Sequence, residues 1–373
     1  MYAQQSLQDT LFILLYGGIA VVALMTGLYL WLRRSNALVP DVTPPMALRR
    51  WTAAFLITAA LSHVWWYVLG VYWLTDDRLV RNIVAVTLDH ITLVPLVMAL
   101  LLRMLQDRQR PLWPWVLTQV PIVVFAAVGI ARHDVFYGYD LTTYWQIAVM
   151  ILFFLYYIYA LIHYGRWLHE NYADLEHKEV WQSLLFVAAL FVIYEVYFTN
   201  PGEMAREYLA QMETLGIIAF LLWRVETLQV LDAKETVMLE ELPDAKAGTP
   251  ANATPIVVPE NMQDLLDKHC EACRLYLQHD LTLQQLALAI GTNRTYLGAY
   301  FAQQGINYNT YINRLRVDHF MRLYRDDPAT AQSSTATDLA RQSGFRSYST
   351  FAQAFKLFNG QTVSDWVKSQ TQP

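Results

Sequence analysis

The 373-residue sequence has few charged side chains, two cysteines and no lysine before Lys178. Asp, Glu, Lys and Arg make up 16% of it, against about 25% in an average soluble protein. Two cysteines exclude a disulfide-stabilised scaffold. Because the long apolar stretches contain no lysine, a retinal Schiff base is excluded as well. No basic residue precedes Arg33, so the first apolar run is predicted to be a retained helix rather than a cleaved signal peptide.

Apolar and aromatic residues are abundant: 55% of the chain is hydrophobic, 14% is aromatic, and the mean hydropathy is +0.23. A helix needs about 20 apolar residues to cross the bilayer core. Seven stretches meet this length: 10–32, 51–74, 83–105, 112–130, 143–165, 181–199 and 208–228. We predict an all-α protein in which these stretches form a seven-transmembrane-helix bundle.

Basic residues are shared unequally between the loops on the two sides of these spans. One side has nine: Arg33, Arg34, Arg49, Arg50, Arg103, Arg108, Arg110, Arg166 and Lys178. The other side has four: Arg78, Arg81, Arg132 and Arg206. Cytoplasmic loops carry the excess of Lys and Arg. The count therefore predicts a multi-pass inner-membrane protein with its N-terminus outside and its C-terminus in the cytoplasm.

Composition divides the chain into three predicted parts. Residues 1–231 carry the seven spans and a net charge of −3. Residues 232–259 are predicted to be a helical extension followed by a linker rich in Pro, Ala and Thr. Residues 260–373 are predicted to form a separate module of amphipathic helices, in which 282–373 carries a net charge of +4 and no glutamate.

Apolar residues recur at near-heptad spacing around the end of the last span, at Leu221, Leu228, Leu231, Met238 and Leu242. This spacing is compatible with a short coiled coil that pairs two copies of the chain. A solvated helix stub explains so few turns equally well.

The C-terminal part contains one pattern twice, at 282–301 and at 337–355. Each copy has a short helix with a buried alanine, a glycine suited to a positive φ angle, and a polar N-cap. A second helix follows, with apolar residues at i and i+4. The pattern predicts two helix-turn-helix units. The proline-free run 308–324 between them is predicted to be a rigid linking helix.

The stretch 282–366 resembles the DNA-binding domain of AraC/XylS-type bacterial transcription regulators. The resemblance rests on Leu-Ala-x-x-x-Gly at 286–291, Tyr-Leu-x-x-x-Phe at 296–301, and Tyr311-Ile-Asn-Arg-Leu-Arg316 after Gly305. It is closest at Asp338-Leu-Ala-Arg-Gln-Ser-Gly-Phe345, with Ser349-Thr-Phe351 and Gly360-Gln-Thr362 in register. The whole arrangement is similar to membrane-anchored members with a multi-span N-terminal half.

The resemblance implies that 260–373 is a DNA-binding domain whose helices 293–303 and 347–357 enter successive major grooves. Positions that match the family's base-contacting sites are Thr295, Gly298, Ala299, Tyr348, Ser349, Thr350 and Gln353. Gln can pair with adenine, and Tyr or Thr can meet a thymine methyl group or a phosphate. The candidate phosphate contacts are Arg294, Arg346 and Lys356.

Two positions of the first unit depart from the family pattern. Gly298 and Ala299 stand where the family commonly has polar or arginine side chains. An alternative function follows from this departure: a membrane receptor or transport-like protein whose helix-turn-helix module docks another protein. Replacing Arg294, Arg346 and Lys356 should abolish DNA binding and leave protein docking intact, which separates the two functions.

Ionisable residues lie inside the predicted spans, where they are costly and usually face the bundle interior. They are His63, Asp89, His90, Glu195 and Glu213. One interpretation is a ligand-sensing site for a small-molecule or envelope signal, and the other is an internal hydrogen-bond network. Transport is disfavoured because no inverted repeat or broken helix pair is evident.

Cys270 and Cys273 form a Cys-x-x-Cys pair beside His269. One such pair lacks the four ligands of a structural zinc site, and buried helical cysteines are the simpler interpretation. No glycine-rich phosphate loop, kinase motif or nucleophile elbow occurs. We predict a protein that is not an enzyme and needs no cofactor or metal.

These expectations combine into a membrane-tethered one-component transcription regulator. Its partners would be promoter DNA, membrane lipid and a sensed signal, with a second copy of the chain to strengthen DNA binding. Activation is the output that the family resemblance implies, and RNA polymerase would then be a further partner.

Overall fold

A computed structural model describes residues 7–40, 42–70, 77–189, 203–231, 258–259, 261–326 and 335–371. Within these ranges the chain is helical, and its one extended pairing there is an isolated antiparallel bridge between Tyr172 and Thr282. The chain divides into two units. The first is Met1–Ile162 with Val180–Leu231, and the second is His163–Glu179 with Asp232–Pro373.

Seven numbered helices begin in or belong to the first unit. They are α1 Leu7–Leu32, α2 Met46–Gly70, α3 Arg78–Met104, α4 Trp113–Leu117, α5 Val120–Arg132, α6 Leu141–Asn171 and α7 Glu203–Thr227. A π-helical turn, Phe136–Asp140, precedes α6. Residues 182–189 are also helical and border the stretch 190–202, which lies outside the described residues.

Six helical segments among the described residues are long and apolar enough to cross a membrane. They are Thr10–Leu32, Met46–Leu69, Arg78–Met104, Trp113–Arg132, Phe136–Asn171 and Glu207–Thr227. Each overlaps one of the seven stretches predicted from the sequence. The remaining stretch, 181–199, falls mostly outside the described residues.

The segment Trp113–Arg132 is not one regular helix. It breaks at Thr118 and Gln119, so α4 and α5 are separate. Pro121 lies in the first turn of α5. Proline has no N–H to donate and its ring clashes with the carbonyl four residues earlier, which accounts for the break. Pro95, by contrast, lies inside an uninterrupted α3.

A buried ion pair connects the N-terminal part of α2 with the C-terminal end of α7. Arg49 Nη1 lies 2.9 Å from Glu226 Oε1, and the two side chains are 0% and 1% exposed. Arg49 also donates to Asn36 Oδ1 at 3.0 Å, while Glu226 accepts from the Tyr29 hydroxyl and the Ala37 amide. A carboxylate with this many donors compensates a buried guanidinium.

The end of α7 argues against the coiled-coil interpretation for Leu228 and Leu231. The helix stops at Thr227, and Leu228 and Leu231 are buried within the first unit. Backbone pairing holds the next residues, since Val230 N donates to Thr43 O at 2.8 Å. Gln106 also donates to Gln229 O at 2.9 Å. Leucines covered in this way cannot form a coiled-coil seam; Met238 and Leu242 lie outside the described residues.

Among its described residues, the second unit has seven further helices. They are α8 Met262–Leu266, α9 Leu283–Ala289, α10 Arg294–Gln303, α11 Tyr308–Asp326, α12 Ala336–Gln342, α13 Tyr348–Asn359 and α14 Val363–Thr371. A π-helical turn Asp267–Glu271 and a 3-10 turn Leu275–Leu277 lie between α8 and α9.

Two hydrophobic clusters lie within the described part of the second unit, and α11 contributes to both. Tyr308 and Ile312 pack into the first cluster with residues of α8, α9 and α10. Val317 and Phe320 pack into the second cluster with residues of α12, α13 and α14. Helix α11 therefore connects the two clusters, as expected of the predicted linking helix.

Replacing Glu226 should destabilise the protein strongly. Glu226→Gln leaves the Arg49 guanidinium buried without a countercharge, which costs about 3–5 kcal/mol. Thermal unfolding of the detergent-solubilised protein measures the loss. The exposed residue Glu170 supplies the matched control, Glu170→Gln. Equal melting temperatures for the two variants would show that the pair contributes nothing.

Candidate nucleic-acid interface

The first helix pair of the second unit, α9 and α10, has an N-cap on each helix. Thr282 and Gln285 form a reciprocal capping box at the start of α9. Asn293 Oδ1 accepts from the Tyr296 amide at 2.9 Å and starts α10. These side chains satisfy amides that the first turn leaves unpaired. Gly291 lies between the helices with φ of +75°, so the predicted cap and turn are present.

The second pair, α12 and α13, repeats the arrangement. Thr335 and Asp338 form the capping box of α12, and the hydrogen bonds from Thr335 lower the pKa of Asp338. The Ser347 hydroxyl accepts from the Thr350 amide at 3.3 Å and starts α13. Buried Phe351 and Phe355 fix the inner face of α13, so its polar residues lie on the outer face.

Gly344 occupies the turn between α12 and α13 under a strict steric limit. Its φ is +91°, and a Cβ there would lie 2.9 Å from Leu277 Cα and 3.0 Å from the carbonyl oxygens of Leu277 and Tyr276. Backbone atoms cannot yield as a flexible side chain does. The glycine is therefore required both by its dihedral angle and by the close approach of the 276–277 backbone.

The candidate DNA contacts lie on the outer faces of α10 and α13. Thr295 is exposed near the start of α10, while Arg294 is partly buried. On α13 and the residues before it, Tyr348, Ser349, Gln353 and Lys356 are exposed, and Arg346 and Thr350 are partly buried. In helix-turn-helix proteins the N-terminal residues of the second helix contact base edges. The geometry thus provides a polar, solvent-facing surface on each pair.

Arg346 has a partner that sequence reasoning missed. Its Nη1 lies 3.4 Å from Asp280 Oδ2, and the Asp280 side chain is 54% exposed. The Asp280 Oδ1 atom is also 3.8 Å from Lys178 Nζ, which is almost completely buried. No spacing in the sequence connects these three residues, because they are brought together only by the folded second unit.

The polar layer of the first unit is built around Asp89 on α3. Its carboxylate accepts from Ser62 Oγ at 2.6 Å, Trp65 Nε1 at 3.1 Å and Trp66 Nε1 at 2.7 Å. All three donors come from α2. Sequence reasoning missed them, although Ser62 is three and four residues before the two tryptophans and so shares their helix face.

The other predicted sensing residues in the described part of the chain have different partners. His63 Nε2 lies 3.2 Å from Gln211 Oε1 on α7, and its Nδ1 donates to Ala59 O at 2.9 Å. His90 Nδ1 donates to Val86 O of its own helix at 2.7 Å. Glu213 is two residues from Gln211 and therefore on another face of α7. Glu195 lies outside the described residues.

The two cysteines differ in environment. Cys270 is buried in the first hydrophobic cluster, and Cys273 is exposed. Burial raises the pKa of the Cys270 thiol to about 12. A reactive thiol needs exposure and a low pKa, so Cys270 is a packing residue. Among the described residues, no group of three or more His, Cys, Asp or Glu side chains could hold a metal ion.

Comparisons with known proteins give a family match within the second unit. Residues 286–369 match a family model described as a helix-turn-helix domain, of the AraC type. An uncharacterized HTH-type transcriptional regulator of Staphylococcus aureus strain MRSA252 is 31% identical over 104 residues, and one from strain COL is 30% identical. Each match covers 28% of this chain and 13% of the relative's length. No solved structure matches the chain.

Gly344→Ala should destabilise the second unit and abolish DNA binding, since the new Cβ clashes with the backbone of Leu277. The control is Gly305→Ala, where φ is also positive at +68° but nothing lies within 4 Å of the added Cβ. In that control the only destabilisation is the left-handed backbone strain, about 1–2 kcal/mol. Limited proteolysis and DNA binding compare the two variants. Equal behaviour would contradict the close approach at Gly344.

The thiols should react with alkylating reagents at very different rates. At pH 8 iodoacetamide should modify Cys273 within minutes and leave Cys270 unmodified, because Cys270 is buried and its pKa is raised. Mass spectrometry of peptides from the native protein gives the two rates. Rapid modification of Cys270 in the folded protein would contradict its role as a packing residue.

Proposed function

We propose that this chain is a membrane-tethered one-component transcription regulator. One observation carries the proposal: an AraC-type helix-turn-helix domain is on the same chain as six helices long and apolar enough to cross a membrane. The membrane bundle receives a signal, and the second unit binds promoter DNA at the cytoplasmic face. Its activity is regulatory rather than enzymatic.

Each helix pair of the second unit acts as one helix-turn-helix, and α10 and α13 enter successive major grooves. The polar side chains Tyr348, Ser349 and Gln353 on the first turns of α13 support direct readout there. On α10, Gly298 and Ala299 offer little to a base edge, so Thr295 reads sequence while Arg294 contacts phosphate. The second pair then supplies most of the specificity.

The location is the inner membrane, with the N-terminus outside and the C-terminus inside. Two contacts within the first unit support this: Arg49 pairs with Glu226 near the end of α7, and Gln106 donates to Gln229 just after it. Nine basic residues belong to the loops of this side and four to the other. The positive-inside rule assigns the richer side to the cytoplasm.

Signal sensing is assigned to the polar layer of α2, α3 and α7. The hydrogen-bond partners of Asp89 and His63 lie on these helices rather than in loops: Asp89 accepts from Trp66 of α2, and His63 contacts Gln211 of α7. A ligand that competes for these hydrogen bonds would favour one packing of the helices over another. Such a differential affinity is what couples a ligand to a conformational equilibrium.

The net charge of +4 over 282–373 indicates modest affinity of one copy for DNA. Two copies on adjacent sites would bind more tightly through their high effective concentration at the membrane. We therefore propose binding as a dimer and activation through RNA polymerase.

Protein docking is the second candidate function. Leu357 on α13 is 75% exposed, and Leu288 on α9 is 60% exposed. Apolar side chains on the outer surface suit a protein partner rather than DNA. Leu357→Asp should abolish docking under this alternative and leave DNA binding unchanged under the regulator hypothesis.

The regulator hypothesis is tested with full-length protein in nanodiscs. Fragments that bind to it are selected from a genomic DNA library, and the affinity for the enriched site is then measured. Gln353→Ala should weaken binding to that site by about 1–3 kcal/mol and relax its sequence preference at one position. Lys356→Ala should weaken binding to all sequences alike. It should also reduce the slope of log affinity against log salt concentration by about one, the contribution of one phosphate contact.

The exposed residue Gln303, at the C-terminal end of α10, supplies the control Gln303→Ala, which should bind as the unaltered chain does. Enrichment of no sequence, from an intact and folded protein, would contradict the regulator hypothesis and favour docking.

A further inference from the structure

Residues 163–179 belong to the second unit, although they directly follow the apolar part of α6. Helix α6 continues to Asn171, and the division between the units falls within it, after Ile162. Tyr164 on its last turns is buried, and its hydroxyl donates to Lys178 O at 2.8 Å. The residues after the helix, 172–178, are thus held back against the helix from which they emerge.

The segment 172–178, which we call the clamp, is seated on the second unit by main-chain recognition. Tyr172 and Thr282 form an antiparallel bridge. Asn309 donates to Ala173 O at 2.7 Å, and Asn313 donates to the same oxygen at 3.0 Å. The Ala173 side chain is 0% exposed within the first hydrophobic cluster. Two side-chain amides bind one carbonyl oxygen, and the methyl group beside it is buried. These contacts define a specific binding position, which we call the seat of the clamp.

The clamp contacts α11 and Thr282, and Thr282 ends the loop 276–282, which positions both helix pairs. Buried Arg316 of α11 donates to Tyr276 O at 2.8 Å and to Gln278 O at 2.5 Å. His279 Nδ1 lies 3.1 Å from Gly344 O, in the turn of the second pair. Thr282 caps the first helix of the first pair. A change at this loop therefore reaches both pairs.

The clamp also brings charge to the loop. Lys178 Nζ and Arg346 Nη1 lie 3.8 Å and 3.4 Å from the two carboxylate oxygens of Asp280. Arg346 stands two residues before α13 and is a candidate phosphate contact. Lys178 of the clamp and Arg346 therefore share one carboxylate, which connects the clamp to the start of α13.

We propose that the clamp 172–178 is an autoinhibitory contact: seated against α11 and against Thr282 at the end of loop 276–282, it fixes the two helix pairs in one arrangement. The inference rests on the proposed function and adds its regulation. A signal that moves α6 withdraws Ala173 from its seat and frees the two helix pairs to adjust to successive major grooves. Seated and released states differ in DNA affinity, and that difference is the coupling free energy.

A reversible crosslink between the clamp and its seat tests this directly. Tyr172→Cys and Thr282→Cys are combined with Cys270→Ala and Cys273→Ala in the full-length chain in nanodiscs. Cα atoms across an antiparallel bridge are about 4.5–5.5 Å apart, within the range that a disulfide spans. Oxidation should form the crosslink and lower affinity for the selected DNA site at least about fivefold, the lower end of usual allosteric couplings. Reduction should restore it.

The single variant Thr282→Cys, in the same background and under the same oxidation, controls for the altered N-cap and should show no redox effect. Failure of the crosslink to form would overturn the seat. A quantitative crosslink with unchanged or tighter DNA binding would overturn the inhibition while leaving the proposed function intact. Loss of binding by the unaltered chain would overturn both.

A second variant avoids the cysteines and alters no residue of the DNA-binding surface. Ala173→Arg cannot bury its side chain in the first cluster, so the clamp should leave its seat and DNA affinity should rise at least about fivefold. The control His169→Arg adds the same single charge at an exposed position of α6, four residues earlier. Equal affinity of the two variants would overturn the inference.

Discussion

The guanidinium of Arg316 holds the loop 276–282, and the arrangement of the second unit depends on that hold. A charged group that is 1% exposed is stable only where donors and acceptors are matched. Here it donates to the carbonyl oxygens of Tyr276, Gln278 and His279. Because backbone carbonyls are the partners, the loop can adopt only a few conformations, and both helix pairs pack against it.

The loop 276–282 in turn contacts the residues at the start of the candidate DNA surface. Gly344 lies against the Leu277 backbone, and His279 contacts the carbonyl of Gly344. Asp280 in the same loop pairs with Arg346 just before α13. The position of α13 and the charge at its start are thus set by a loop outside both helix pairs. A regulator could act through such a loop without touching DNA.

The first unit is subject to a different constraint: polar groups among its apolar helices need hydrogen-bond partners within the protein. Asp89 has three donors from α2, and Arg49 has Glu226. The first set connects the consecutive helices α2 and α3, and the second connects α2 with α7. They make the packing specific, and they are also the interactions that a ligand or a shift of a helix would disturb.

Local features of the fold could be predicted from the sequence, because they depend on neighbouring residues. Apolar length predicted the helices of the first unit, and the N-caps Asn293 and Ser347 and the glycines 291 and 344 marked the helix pairs. The break before Pro121 and the end of α7 were not anticipated. For α7 the reason is physical: heptad spacing cannot distinguish a coiled-coil seam from leucines buried in the same unit.

The contacts of the candidate sites could not be predicted, because they join distant residues. Arg316 was visible only as part of a family motif, and nothing in its neighbours specified three carbonyl partners in loop 276–282. Asp280 and Lys178 are 102 positions apart in the sequence, and only the fold brings them together. The same holds for Ala173 and Asn313. Where base and phosphate contacts form remains a proposal on the exposed faces of α10 and α13.

The central claim is that one chain binds promoter DNA while it is embedded in a membrane. The most direct test crosslinks DNA to the epitope-tagged protein in living cells, isolates the membrane fraction and sequences the attached fragments. The account predicts a few sharp peaks from that fraction, lost when Arg346 and Gln353 are replaced. Peaks that come only from a soluble, cleaved form, or no peaks with the intact protein in the membrane, would contradict it.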